Sequence, residues 1–237
     1  IKLCIFCVKA IDEKGKIYGE EKSVWFQGRA LYTFSLAYTL VKDEKYLSAA
    51  RAIFDFLPKC SDGTLRMAFT VTKDGREIQK RRYWFSETFA AIGCAEYYLA
   101  SGDKNAKILA EKYFDVAYDI YINPEKTTPK FNSETVNLHA LSPCMILLST
   151  AHVLRKINPD KYDAIAKIMT DDVLLHLTDK GLLENVSPSG EFINTPTGRI
   201  VNPGHSLEAA WFLMVQSELT EDDELFLKAK EIIDTSM

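Results

Sequence analysis

Tyr83-Trp84-Phe85-Ser86-Glu87 opens an apolar stretch that reaches Leu99-Ala100. The turn Ser101-Gly102-Asp103 follows, and a plainer amphipathic stretch then runs from Ala106 to Tyr121. Apolar residues recur at helical spacing on both sides of the turn, which predicts helices over 83–101 and 104–122. A link that short makes them an antiparallel helical hairpin. The same arrangement recurs outward along the chain. Helices over 24–41 and 44–57 join through Val41-Lys42-Asp43, and helices over 135–157 and 160–180 through Ile157-Asn158-Pro159-Asp160. Helices over 203–219 and 222–236 join through Leu219-Thr220-Glu221. Longer connectors separate the pairs, giving a period of about 50–60 residues and an all-α repeat of helical hairpins.

Two connectors read as β-hairpins. Met67 to Thr72 leads into Lys73-Asp74-Gly75-Arg76, where Asp-Gly is a favoured tight-turn pair. Leu182 to Ser187 leads into a second turn, Pro188-Ser189-Gly190-Glu191. The first helix of each pair starts with the richer polar-aromatic mix: Trp25-Phe26-Gln27-Gly28-Arg29, Tyr83 to Glu87, and Gly204-His205. First helices are therefore expected to face a common centre, with the long connectors gathered at one rim beside their N-termini.

The 237 residues can bury a sizeable core and are read most simply as one domain, 1–237. A net charge of −4 argues against nucleic acid as the main partner. The basic run Lys80-Arg81-Arg82 reads as a solvated strand end. No stretch approaches the roughly 20 apolar residues that span a bilayer. The five cysteines are scattered, and Cys4-Ile5-Phe6-Cys7 has no second pair, so reduced, buried thiols and a cytoplasmic location are expected.

Asn202-Pro203-Gly204-His205-Ser206-Leu207-Glu208 carries the most local chemistry. Asn202 can cap a helix and Pro203 suits its first position. His205 then lies in the first turn, where the helix dipole disfavours an imidazolium and favours the proton-accepting form. Glu208 and Phe212 share its face, and Trp211 lies to one side. Two readings stand: a proton-transfer group in a sugar site, or a capping loop with a surface histidine. Arg29 sits near a helix start, where a guanidinium needs an anionic partner, either a ligand or a carboxylate such as Glu87. Trp25, Tyr83, Trp84, Phe85 and Trp211 offer surface on which sugar rings stack, or ordinary core. His139, His152 and His176 fall within predicted helices, and none has a metal-ligand spacing. Pro143 would restart the helix near His139, so His139 can reach the rim. No phosphate-binding glycine loop and no serine-hydrolase elbow occurs.

Several segments together resemble the N-acylglucosamine 2-epimerase family. They are Ser23 to Arg29, Phe69 to Arg76, Phe85 to Phe89, Leu183 to Ser187, and Asn202 to Phe212, in family order over residues from about 15 to 237. The Lys73-to-Arg76 and Leu183-to-Ser187 segments favour this family over the cellobiose 2-epimerases. The resemblance implies an (α/α)6 barrel with small β-hairpins at its rim, of which about eight of twelve helices are present. It therefore implies a fragment lacking N-terminal and C-terminal parts.

The implied activity is interconversion of N-acetyl-D-glucosamine and N-acetyl-D-mannosamine at C2 through an enolate. The resemblance implies that His205 is one of two catalytic histidines and that Arg29 lies near the sugar carbonyl. Glu208 would orient His205 or the sugar, and Trp25, Glu87, Trp211 and His139 complete the expected substrate-binding set. The second catalytic histidine finds no match here. No cofactor or metal is required, ATP is left open as an allosteric activator, and a homodimer is a possible assembly. Three alternatives remain: a mannose or cellobiose epimerase, an aldose–ketose isomerase, and a non-catalytic scaffold that binds a sugar or a protein.

Overall fold

The computed structural model describes residues 10–81, 83–128 and 135–236. Cys4, Cys7 and Arg82 lie outside the described residues. The chain divides after Thr128 into two compact units.

In the first unit a short ribbon, β1 (Ala10–Ile11) with β2 (Ile17–Gly19), precedes β3 (Lys22–Ser23), which runs directly into α1 (Val24–Val41). Then come α2 (Glu44–Phe56), β4 (Thr70–Val71), β5 (Glu77–Gln79), α3 (Phe85–Ser101) and α4 (Lys104–Ile122). The two helical hairpins of this unit share one turn chemistry. Lys42 and Gly102 end their helices in the left-handed conformation (φ 60° and 76°), and each is followed by an aspartate. Asp43 accepts from the Lys45 N–H at 3.0 Å and Asp103 from the Asn105 N–H at 2.9 Å, so each caps the next helix.

Helix α1 packs on α2 and α3, and α3 on α4. The α1–α3 crossing brings backbone against backbone. A Cβ on Gly28 would stand 2.5 Å from the Phe89 carbonyl, and one on Gly93 2.7 Å from the Gly28 oxygen. Glycine at the start of α1 therefore serves close packing. The Asp74-Gly75 turn forms as predicted, with Gly75 at φ 98°, but β4 also pairs with β3, making a three-stranded sheet at the start of α1.

The second unit contains β6 (His139–Ala140), α5 (Leu141–Leu154), α6 (Pro159–Leu174), β7 (Leu177–Thr178), β8 (Gly181–Leu182), β9 (Asn185–Val186), α7 (Pro203–Thr220) and α8 (Asp223–Ser236). Helix α5 packs on α6 and α7, and α7 on α8. In each unit, then, the first helices of successive hairpins touch: α1 on α3, and α5 on α7. Glu221 repeats the left-handed turn at φ 54°, and Asp222 caps α8 through the Leu225 N–H at 3.0 Å.

Three expectations need correction here. The helix predicted over 135–157 begins only at Leu141, because His139–Ala140 pairs with Asn185–Val186 and Pro143 suits the first turn that follows. The helix predicted over 160–180 ends at Leu174, because Leu177–Thr178 turns back on Gly181–Leu182, with Gly181 at φ 93°. The turn at Pro188-Ser189-Gly190-Glu191 exists, closed by the Ser187 N–H on the Glu191 carbonyl at 2.9 Å. It does not join the two strands of a hairpin, since the residues before it pair with β6.

Cys60, Cys94 and Cys144 are buried and unbridged. Burial pushes all three thiols up, Cys60 to about 12. Lys80 pairs with Asp62 and Arg81 lies 3.6 Å from the Phe69 ring centre, so both basic residues are engaged at the strand end. Among the described residues no helix is long and apolar enough to cross a membrane, and no group of three His, Cys, Asp or Glu could hold a metal.

Candidate active site

In the second unit, four consecutive residues organise the chemistry. Leu183 donates its N–H to the His176 carbonyl at 2.9 Å. Glu184 donates its N–H to the Ile200 carbonyl at 2.9 Å and accepts from the first N–H of α5, on Leu141, at 3.0 Å. Asn185 and Val186 pair with Ala140 and His139. The strand is thereby fixed on both sides, and the Glu184 side chain is aimed rather than left to sample rotamers.

It is aimed at His205. Asn202 caps α7 by accepting from the Gly204 and His205 N–H groups at 3.1 and 3.4 Å. His205 Nδ1 donates to Glu184 Oε1 at 2.7 Å. The imidazole keeps 37% of its surface exposed and the carboxylate 17%, so the pair sits at the edge of the unit. A carboxylate only accepts from its partner, so the neutral imidazole carries its proton on Nδ1 and its lone pair on Nε2. That arrangement suits a general base.

Glu208 does not orient His205. Helical side chains lean toward the helix N-terminus, so the imidazole reaches back to the Glu184 strand while Glu208, one turn on, is exposed. Trp211 is 61% exposed, and its ring centre lies 5.1 Å from that of the buried Phe212. His139 is in β6, not in a helix. Its Nδ1 lies 2.9 Å from His176 Nε2. His152 is tied to Gln216 at 2.8 Å on the facing side of α7.

In the first unit, Trp25 is half-buried among Phe69, Phe85 and Phe89, with ring centres 5.2–5.8 Å apart. Arg29 is exposed, with its guanidinium 4.2 Å from the Phe89 ring centre. Glu87 does not pair with it. Glu87 is fully buried, accepts from the Met67 N–H at 2.9 Å and pairs with Arg66 at 2.9 Å. Burial raises its carboxyl above the ordinary range, while Arg66 and the Met67 N–H pull it down. From the third position of α3 it reaches back and anchors the 60–67 loop, so it presents no surface to a ligand.

Two residues of the site carry no sequence signal of their own, Glu184 and His176. Glu184 stood inside the Leu183-to-Ser187 segment but had no spacing to His205 that a helix or strand period could reveal. His176 looked like one more helical histidine.

The sequence profile of the N-acylglucosamine 2-epimerase family matches residues 6–237. The chain belongs to the N-acylglucosamine 2-epimerase family. It is 28% identical over 216 residues to the N-acylglucosamine 2-epimerase of Rattus norvegicus, a match covering 86% of this chain and 52% of that protein. It is 24% identical to the cellobiose 2-epimerase of Eubacterium cellulosolvens, covering 90% of this chain and 63% of that protein. The solved cellobiose 2-epimerase from Spirochaeta thermophila DSM 6192 superposes with a TM-score of 0.75 at 21% identity, over 93% of this chain and 60% of that one. The last likeness shows the helix-rich fold alone. The chain spans about half the length of the N-acylglucosamine 2-epimerases it matches.

Proposed function

We propose that this member of the epimerase family interconverts N-acetyl-D-glucosamine and N-acetyl-D-mannosamine at C2, within an (α/α)6 barrel. The observation that carries the reading is the His205–Glu184 pair at the capped start of α7. In the open-chain sugar, C1 is an aldehyde and the C2 proton is acidic. The Nε2 lone pair of His205 takes that proton, and the C2 electron pair moves toward C1 to leave an enolate with its charge on oxygen. A second acid on the opposite face of C2, the second histidine that the resemblance implies and that no residue of this sequence matches, returns a proton there, which inverts C2 and regenerates the aldehyde. Glu184 stabilises the imidazolium that forms and keeps the ring oriented.

Arg29 is assigned to the developing oxyanion because its guanidinium is exposed near the start of α1, beside aromatic surface. Glu208, Trp25, Trp211 and His139 are assigned to sugar contact. The chemistry calls for no redox group or metal. ATP acts, where it acts, as an activator, and the reduced thiols fit a cytoplasmic location.

The test is incubation of the full chain with N-acetylmannosamine in deuterated water. C2-deuterated N-acetylglucosamine is expected, and intact protein that leaves C2 unlabelled contradicts the reading. The match to cellobiose 2-epimerases favours a second reading, in which the same enolate chemistry serves a disaccharide or ends in a ketose. Cellobiose, mannose and glucose assayed beside the N-acetylated sugars separate the two.

A further inference from the structure

Arg29 and Arg81 stand apart from the other described arginines. Arg51, Arg66, Arg76, Arg155 and Arg199 each set the guanidinium on an oxygen of another side chain: Tyr97, Glu87, Asp74, Asp163 and Asn194. Arg29 and Arg81 lie on rings instead. The Arg29 guanidinium is 4.2 Å from the Phe89 ring centre and that of Arg81 3.6 Å from the Phe69 ring centre. The N–H groups of a guanidinium lie in its plane, so stacking by the face leaves the donor edge open. Both residues are exposed.

The two rings share a neighbour. Trp25 is half-buried, with its ring centre 5.2 Å from that of Phe69 and 5.6 Å from that of Phe89. One tryptophan is therefore flanked by two rings, and each of those rings also carries a guanidinium with an open edge.

The surrounding backbone holds this cluster in place. The Phe69 carbonyl accepts the Val24 N–H, the first of α1, at 3.0 Å, and the Phe69 N–H goes to the Gln79 carbonyl at 2.7 Å. The Arg81 carbonyl accepts from Arg66 Nη2 at 3.4 Å, and Arg66 in turn pairs with the buried Glu87. The Glu87 anchor thus extends to the segment that carries Arg81.

We propose that Trp25 and Arg81 form a subsite for a sugar that carries an anionic group, with the sugar ring against Trp25 and the phosphate or carboxylate on the donor edge of Arg81. A guanidinium edge matches either oxyanion by paired hydrogen bonds. Arg29 is assigned to charge that develops during the reaction, which leaves Arg81 for charge that the ligand carries permanently. That the ligand is a sugar rests on the function proposed above; that it is anionic rests on the open guanidinium edge.

The test is titration calorimetry of the full chain at low salt. N-acetylglucosamine 6-phosphate is expected to bind about tenfold more tightly than N-acetylglucosamine. Arg81→Gln should remove that preference and leave the affinity for the neutral sugar unchanged. Arg81→Lys keeps the charge without the fork and should retain only part of it. Trp25→Leu should weaken both sugars and leave inorganic phosphate unmoved. Glucuronate beside glucose shows whether a carboxylate gains as the phosphate does.

Equal affinity for the charged and neutral sugars, or a preference that survives Arg81→Gln, overturns the proposal. Inorganic phosphate binding as tightly as the sugar phosphate overturns the role of Trp25. C2 exchange in deuterated water, run on both sugars, keeps the two readings apart. The anion preference without exchange on either sugar overturns the epimerase reading and upholds the subsite. Exchange without the preference does the reverse.

Discussion

Each unit joins a carboxylate to the first turn of one of its helices, with opposite polarity. In the first unit the carboxylate is on the helix: Glu87, in α3, takes the Met67 N–H and Arg66 from the loop. In the second the carboxylate lies in the bend between β8 and β9: Glu184 accepts a hydrogen bond from His205 at the start of α7. Glu87 is fully buried and its partner is a permanent cation, so the pair closes a loop. Glu184 and His205 retain solvent access and the partner is an imidazole, so the pair can move a proton. A carboxylate joined to a helix's first turn thus serves as an anchor or, in the function proposed here, orients a base, according to its partner and its burial.

Variants that separate the two roles sharpen this contrast. His205→Ala should lower C2 exchange by a factor on the order of 10²–10⁴ while circular dichroism stays unchanged. Glu184→Gln should lower exchange by about 10²–10³ through loss of tautomer control and imidazolium stabilisation, with little change in thermal stability. Glu87→Ala should do the reverse. It leaves Arg66 and the Met67 N–H without their partner and should cost about 3 kcal/mol in denaturant unfolding, the low end for a buried pair because Arg66 reaches solvent. Equal effects of the Glu184 and Glu87 variants on both readouts would break the comparison.

Stability should also depend on pH. Burial holds the folded-state value of His176 near 4, below its ordinary 6.5. Its contribution to stability is therefore complete above pH 6.5 and is lost as pH falls toward 4, because the unfolded chain binds the proton first. The slope is about 1.4 kcal/mol per pH unit for this one group. His139 and His152 are also lowered by burial and act in the same direction. Denaturant unfolding measured from pH 7 down to 4 reads the slope, and His176→Gln should flatten it.

The helices were legible because their signals are local. Apolar spacing placed all eight helices described here, and short polar links marked each hairpin. The ends of α5 and α6 were not legible. His139–Ala140 and Leu177–Thr178 are strands only because partners 3 to 47 residues away complete them, and strand pairing of two residues leaves no period to read. The site divides in the same way. His205 was visible from Asn202-Pro203-Gly204, whose capping chemistry is written in consecutive residues. Glu184 and His176 were not, because their roles come from tertiary contacts across 21 and 37 residues. The resemblance implies that Glu208 orients His205 or the sugar; Glu208 is exposed one turn on, and the imidazole leans back to Glu184 instead.

In the proposed function the His205–Glu184 pair moves the proton at C2 of an N-acetylated hexosamine. The most direct measurement is deuterium incorporation at C2 from deuterated water, by wild type, Glu184→Gln and His205→Ala side by side. Rapid labelling by wild type, strongly slowed labelling by Glu184→Gln and almost none by His205→Ala are expected, with all three folded. Labelling by His205→Ala at the wild-type rate would contradict that function.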